Sequence, residues 1–159
     1  MKSILLLTIL AALSNVSFGW FYTSGNKLMD SNKNEFIARG INVANADWDG
    51  KFKPVNVMKA VRGTGANSVR ILWLNDNDIK SKGLNDNNLK DAIQQAINNQ
   101  LVPIVHLWVD SGKLGDNWDN RNILKDAGKW WVSKIPLLKQ FEDKLLINVL
   151  NEWVSYIYN

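Results

Sequence analysis

The chain has 159 residues, no cysteine, one histidine and a formal net charge of +4. Without cysteine there can be no disulfide-stabilised scaffold and no thiolate metal site, and a single histidine cannot form a metal cluster. The charge is too small and too scattered to indicate a nucleic-acid partner. A hydrophobic core must therefore stabilise the fold.

The N-terminal segment has the composition of a secretory signal peptide. Lys2 provides a charged start, residues 4–13 are almost wholly apolar, and the segment ends in the small-x-small run Ser17-Phe18-Gly19. The apolar run is shorter than the roughly 20 residues that cross a bilayer. We expect residues 1–19 to be removed, leaving 20–159 as one domain of a secreted, extracellular protein with no membrane anchor. The alternative is a buried N-terminal strand or helix.

The chain after the leader begins with a predicted hairpin and then alternates strands with helices. Three β-type runs (21–23, 27–29 and 36–38) are separated by turn compositions. Further strands are predicted at 38–42, 67–74, 101–107 and 145–150. Helices are predicted from Pro54 to a Gly63-Thr64-Gly65 stop, over 86–99, and from Ile123 until Pro136 interrupts it.

The strands after the hairpin are apolar on both faces, which is typical of parallel βαβ units with helices outside. Two α/β architectures fit this pattern, an open doubly wound sheet and a (β/α) barrel. The first βα turn carries no G-x-G-x-x-G motif, so nothing favours a dinucleotide cofactor. Polar or ionisable residues fall near the predicted carboxyl ends of the strands, where barrel enzymes build their chemistry: Asn42, Arg70, His106 and Glu152.

Glu152 is the sharpest candidate for a catalytic group. A carboxyl group at a barrel mouth, walled by Trp153 and an apolar strand, would be partly desolvated, which raises its pKa and allows it to donate a proton near neutral pH. Asn151 beside it could bond a substrate hydroxyl without adding charge. The alternative is an ordinary solvated glutamate at the end of a strand.

Four other side chains have both a functional and a structural interpretation. Arg70 interrupts an apolar strand, so it is either a clamp on a catalytic carboxylate or part of a structural ion pair. His106 could bond a substrate hydroxyl or be a satisfied core histidine. Trp48 and Trp108 could stack on sugar rings or pack in the core, and for Trp73 we expect core packing.

Three stretches together resemble a known family: "GWFYTSGNKLMDSNKNEFIARGIN", "GANSVRILWL" and "LLINVLNEW". In this order and spacing they look like the N-terminal half of glycoside hydrolase family 5, closest to its bacterial secreted endo-β-1,4-mannanases, with the β-1,4-glucanases (cellulases) next. The resemblance implies a (β/α)8 TIM-type barrel, of which this chain holds about the first four βα units plus the hairpin. It also implies retaining hydrolysis of β-1,4 bonds without a cofactor or metal.

Matched to the family's motifs, Glu152 would be the general acid/base, Asn151 would bond the sugar 2-hydroxyl, and Arg70 would pair with the nucleophilic carboxylate. Substrate contacts would come from side chains near the same end of the sheet: Asn42, Trp48, His106, Trp108 and Trp153. The partner would be a β-linked polysaccharide or oligosaccharide, with mannan favoured over glucan.

The sequence departs from the mannanase pattern at three places. The loop after the first barrel strand, 43–48, lacks the family's histidines, and Trp108 falls where the third strand carries one, with His106 two residues earlier. Val154 replaces the aromatic residue that usually follows Asn-Glu-Trp. Because of these departures, the sequence does not decide between mannan and glucan as the substrate.

The family's nucleophile is a second glutamate at the end of the seventh strand, and the given sequence stops after the fourth. Glu142 and Asp143 precede the fourth strand and so lie at the opposite end of the barrel from Glu152. They therefore cannot serve as the nucleophile. We therefore expect the isolated chain to show little or no hydrolysis, and its open barrel edges to favour self-association. The non-catalytic alternative is a secreted glycan-binding half barrel or truncated paralogue.

Overall fold

The computed structural model describes residues 21–44, 57–108 and 121–149. These residues fall into two units, one ending at Ile37 and one beginning at Ala38. In the described part of the chain, no helix combines the length and apolar character that crossing a membrane requires.

The first unit is the predicted hairpin. Its strands β1 (Phe21–Ser24) and β2 (Lys27–Asp30) pair antiparallel, with Ser24 opposite Lys27. Gly25 opens the two-residue turn at φ 60°, a left-handed conformation that glycine adopts without a side-chain clash.

The third β-type run, at 36–38, is not a strand, so that prediction is wrong. The chain beyond β2 makes a single bridge between Met29 and Glu35. The Phe36 ring then packs edge-on against Phe21, with the ring centroids 4.9 Å apart. The Phe36 N–H also donates to the Leu28 carbonyl at 2.7 Å, so this segment is held by one bridge and ring packing rather than by a full strand.

The second unit is a four-stranded parallel sheet with helices between its strands, as predicted. Its strands are β3 (Gly40–Ala44), β4 (Ser68–Leu74), β5 (Val102–Trp108) and β6 (Leu146–Asn148), in the order β3-β4-β5-β6. Its helices are α1 (Val57–Gly63), α2 (Asp76–Ser81), α3 (Asp86–Asn98) and α4 (Arg121–Leu138), followed by a 3₁₀ turn (Lys139–Phe141).

Several boundaries differ from the predictions, and two of the differences have a clear physical cause. The first sheet strand begins at Gly40 rather than at residue 38, because the backbone of Arg39 is bonded to Asn67, whose side-chain oxygen accepts the Arg39 N–H at 2.7 Å. Pro136 does not end α4, which continues to Leu138. A proline in the last turn removes only one intrahelical hydrogen bond, that to the carbonyl of the exposed residue Val132.

Helix α2 was not predicted. Only Ile79 of its six residues is buried, so no apolar periodicity marks it. The helix starts because the Asn75 side chain accepts the backbone N–H groups of Asn77 and Asp78, at 3.0 and 3.2 Å.

The core lies between the helices and one face of the sheet, which we call the outer face. This face is formed by Val69, Ile71, Trp73, Val105 and Leu107, all essentially inaccessible to solvent. They form one cluster with the buried sides of the helices, which include Met58, Val61, Ile79, Leu89, Ile93, Ala96, Ala127 and Trp130. Trp73 is thus a core residue, as expected, and burial of this apolar area is the main stabilising term.

A buried lysine joins α4 to the starts of α2 and α3. The Nζ of Lys134 lies 2.7 Å from Oδ1 of Asp76 and 2.7 Å from Oδ1 of Asp86. The Trp130 indole donates to Asp76 at 3.1 Å, and its ring lies 5.5 Å from the Lys134 nitrogen. Burial acts to lower the pKa of Lys134, but the two carboxylates outweigh it, so the pKa is raised overall.

Candidate active site

The opposite side of the sheet, the inner face, carries the polar residues. Asn42 pairs in register with Arg70, Arg70 with Ile104, and His106 with Asn148. Residues paired directly in a parallel sheet share a face, and so do residues two apart along a strand. Asn42, Arg70, His106 and Asn148 therefore project from the same face, away from the helix-packed core.

Arg70 is held by Asn148 from two strands away. Its Nε and Nη2 donate to the single amide oxygen of Asn148, at 2.9 and 2.6 Å. Both side chains are partly buried, and charge-assisted bonds of this length are about twice as strong as neutral ones. The guanidinium is therefore fixed above the middle of the inner face.

The predicted position of Arg70 needs one correction. Arg70 is the third of the seven residues of β4, so it does not lie near the carboxyl end of the strand. The length of the side chain explains how it still reaches the expected region, because its guanidinium bonds to Asn148, the last residue of β6.

His106 is buried and neutral. The residue has no solvent-accessible surface, and neither ring nitrogen has a hydrogen-bond partner of normal geometry within the described ranges. Burial and then the nearby charge of Arg70 lower the pKa of His106 to about 4, although the neighbouring Asn148 amide offsets part of the effect. At neutral pH this imidazole can accept one hydrogen bond and donate one.

Trp108 extends the inner face towards the carboxyl end of β5. Its ring lies edge-on to His106, with centroids 6.2 Å apart. Trp108 is only partly buried, so it could offer a surface to a ligand. Asn42, at the opposite edge of the sheet, is exposed on the same face as Arg70.

The remaining predicted site residues, Trp48, Asn151, Glu152 and Trp153, lie outside the described residues. The structure therefore brings together four of the eight candidates. Asn42, Arg70, His106 and Trp108 share one face of one sheet.

Sequence reasoning missed Asn148. The signal was present, because Asn148 is the single polar residue inside the apolar run 145–150. An amide in a strand that is otherwise apolar needs a hydrogen-bond partner. Arg70 on β4 is likewise a polar residue in an apolar strand and needs a partner too.

A cavity of about 530 Å³ opens on the opposite side of the sheet, between α2 and α4. It is bordered by Asp76, Trp130 and the outer-face residue Leu107. This cavity does not include Arg70 or His106, so it is separate from the polar cluster of the inner face.

Two curated relatives match most of the chain. A mannan endo-1,4-beta-mannosidase of Salipaludibacillus agaradhaerens is 32% identical over 133 residues, which is 84% of this chain. A mannan endo-1,4-beta-mannosidase of Cellvibrio japonicus (strain Ueda107) is 31% identical over 144 residues, which is 91% of this chain. No protein-family model matches the chain.

Solved structures show the same fold. The mannohexaose complex of Thermomonospora fusca β-mannanase superposes with a TM-score of 0.66 at 20% identity, over 87% of this chain and 44% of that one. The catalytic domain of a Thermobifida fusca endoglucanase gives 0.62 at 18% identity, over 85% and 43%. These likenesses confirm the predicted partial (β/α) barrel. The chain spans 40% and 31% of the lengths of the two curated relatives.

Proposed function

Because this chain belongs to glycoside hydrolase family 5, we propose that it forms the acid/base half of a retaining β-1,4-glycanase whose substrate is β-mannan. The proposal is supported above all by the two curated relatives, which both carry the name of a mannan-cleaving enzyme and match 84% and 91% of the chain. Because the chain covers under half of either relative, the activity belongs to a complete barrel.

The proposed chemistry divides between two carboxyl groups. Retaining hydrolysis needs an acid/base and a nucleophile about 5–5.5 Å apart. Glu152 would protonate the leaving oxygen and then activate water, while Asn151 would bond the sugar 2-hydroxyl. The nucleophile would come from the seventh strand of the barrel, so the 159 residues alone would not turn over substrate.

The inner face of the sheet suits a site that receives the nucleophilic carboxylate from the rest of the barrel. A fixed guanidinium favours the ionised form of a nearby carboxyl group, and Arg70 is fixed by its two bonds to Asn148. A partly exposed Trp108 and an exposed Asn42 add uncharged groups, which are the kind that recognise sugar hydroxyls and ring faces.

The test uses a hybrid barrel. The chain would be fused to the part of the Salipaludibacillus agaradhaerens mannanase that follows the matched segment, and reducing sugar released from mannan and from carboxymethylcellulose would be measured. We expect the hybrid to prefer mannan and the chain alone to release almost nothing. Preference for carboxymethylcellulose would instead support the glucanase alternative, which the likeness to an endoglucanase favours.

Two variants of the hybrid separate catalysis from folding. Glu152→Gln should lower mannan hydrolysis about 10²–10⁴-fold but spare kcat/KM for an aryl mannobioside, whose leaving group needs no proton in the first step. Steady-state kcat for the aryl substrate should still fall, because no base then activates the water of the second step. Glu142→Gln, which changes a glutamate before β6, should leave both rates unchanged. Full mannan activity in Glu152→Gln would refute the role of Glu152. If the hybrid binds oligosaccharide but hydrolyses neither mannan nor carboxymethylcellulose, the result would support the glycan-binding alternative.

Secretion is part of the same proposal, since a polymeric substrate lies outside the cell. Expression with the native first 19 residues in a bacterial host should place the protein in the medium or periplasm. Mass spectrometry should then find a new N-terminus close to Trp20. Retention of Met1 in a cytoplasmic product would contradict this.

A further inference from the structure

Asn148 presents one amide oxygen to two donors of a guanidinium that comes from β4, across the intervening strand β5. The two hydrogen bonds, 2.9 Å from Nε and 2.6 Å from Nη2, hold this edge of the guanidinium against the amide oxygen. An arginine side chain loses rotamer entropy when it is held in one geometry, so it needs such contacts to stay there.

We propose that Asn148 is a positioning residue that fixes the Arg70 guanidinium and, because the amide is neutral, does so without itself offsetting the positive charge that acts on a reacting carboxylate. The second part of this inference rests on the proposed function. The first part, the fixing of Arg70 by a neutral partner, does not require activity.

The choice of an amide rather than a carboxylate has an electrostatic consequence. A carboxylate in contact with Arg70 would accept the same two hydrogen bonds, but it would cancel most of the field of the guanidinium at a third group. An amide keeps the geometry and the field. The distinction is between two nearly isosteric side chains, asparagine and aspartate, so it can be tested with one substitution.

His106 provides the probe of that field. It lies opposite Asn148 in the β5–β6 register and on the same face as Arg70. It is also the only histidine of the chain, so its imidazole resonances need no further assignment. Among the described residues that act on it, Arg70 on β4 is the charged group, and Asn148 on β6 is neutral.

The experiment compares Asn148→Asp and Asn148→Leu with the unchanged chain by NMR. In Asn148→Asp the pKa of His106 should rise by about 1 unit or more, because the new carboxylate offsets the Arg70 charge. In Asn148→Leu it should not rise. Asn98→Leu removes an exposed helix amide that bonds only Gln94 among the described contacts, so it should leave the His106 titration unchanged.

The Arg70 side chain gives a second readout. Its Nε–H, assigned by its loss in Arg70→Lys, should exchange with water about tenfold or more slowly than that of the exposed Arg39. The protection should survive Asn148→Asp and disappear in Asn148→Leu. The proposal would be overturned if the Arg70 Nε–H stayed protected in Asn148→Leu, or if the pKa of His106 were the same in Asn148→Asp as in the unchanged chain.

The hybrid barrel separates this proposal from the proposed function. If Arg70 serves the nucleophile, Asn148→Asp should lower kcat about tenfold or more and change KM by less than about twofold. An inactive hybrid with the NMR results intact would refute the proposed function and leave the positioning of Arg70 standing. Unchanged kcat in an active hybrid would refute the catalytic consequence of Asn148.

Discussion

Gly40 stands directly opposite Ser68 in the parallel pairing of β3 with β4. A β carbon on Gly40 would lie 2.5 Å from the Ser68 hydroxyl oxygen and 2.9 Å from its carbonyl oxygen. Because one of these atoms is backbone, rotating the serine side chain cannot remove the clash. Gly40→Ala should therefore lower the free energy of unfolding by about 2 kcal/mol, measured by urea denaturation.

A second glycine provides the matched control for Gly40. Gly128 lies within α4, and a β carbon there would meet no atom within 4 Å. Gly128→Ala should stabilise the protein by about 0.5–1 kcal/mol, because alanine has the higher helix propensity. Equal effects of the two substitutions would contradict the steric argument.

Acid should destabilise the protein through His106. Its folded pKa of about 4 lies below the ordinary value of 6.5, so the unfolded chain binds the proton first as the pH falls. The stability is therefore complete above pH 6.5 and declines between pH 6.5 and 4, by about 3 kcal/mol in total. Urea denaturation at a series of pH values measures this decline.

His106→Leu separates this effect from the titration of carboxylates. The variant has no imidazole to protonate, so its free energy of unfolding should be less pH-dependent than that of the unchanged chain over the same range. Parallel curves for the two proteins would show that His106 is not buried in its neutral form.

Lys134 should contribute more to stability than the other ion-paired lysine of α4. Lys134→Met leaves Asp76 and Asp86 without their shared cation, at a loss of about 1–2 kcal/mol, since both carboxylates are half exposed and can be hydrated. Lys129→Met, which breaks an exposed pair with Asp126, should change stability by less than about 0.5 kcal/mol. Thermal melts at fixed salt measure both.

The same lysine predicts a response to alkali. The pKa of Lys134 is raised above its ordinary value of 10.5, so its contribution is fully present below pH 10.5 and is lost as the pH rises through the higher folded value. Lys134→Met should lack this alkaline decline. If both proteins lose stability in parallel above pH 10.5, other groups cause the effect.

The open edge of the sheet at β6, with the neighbouring surface of α4, should promote self-association of the 159-residue chain. Trp131 of α4 donates to the backbone carbonyl of Val149 at 2.9 Å. Around this contact Val132, Ile135, Ile147 and Val149 are 65%, 45%, 51% and 57% exposed. We expect sedimentation velocity to show concentration-dependent association, because apolar surface of this kind favours contact.

Charge placed in this apolar surface tests the interface. The double variant Val132→Lys and Ile147→Lys should sediment as a monomer, while Asn98→Lys, which adds charge on an exposed face of α3, should still associate. Association that persists in the double variant would place the interface elsewhere.

The features predicted correctly from the sequence are those set by continuous apolar runs. Residues 67–74 and 101–107 were predicted as strands because apolar residues predominate in both runs, and β4 and β5 confirm this within one residue. Helix α3 was equally clear because Leu89, Ala92, Ile93 and Ala96 recur at helical spacing, and all four are buried.

The features that were missed depend on contacts distant in sequence. Lys134 looks like any lysine of an amphipathic helix, and its partners Asp76 and Asp86 lie in two other helices. Asn148 acquires its role only when the order of the strands brings β4 and β6 to either side of β5. Local sequence patterns mark Asn148 and Arg70 as polar residues within apolar strands, but they do not say which residues pair, so these interactions could not be assigned before the fold was known.

Alternate residues of β4 and β5 lie on opposite faces of the sheet and therefore differ in how well they tolerate substitution. Substitutions at Val69, Ile71 or Trp73 disturb the tightly packed outer face, whereas their neighbours one position away point to the other side of the sheet. A mutant library confined to Asn42, which is exposed, and Ile104, which is only partly buried, could therefore vary the inner face without touching the packed outer face. The pleat of the sheet thus separates the residues that hold the scaffold together from those that can be changed on its other side.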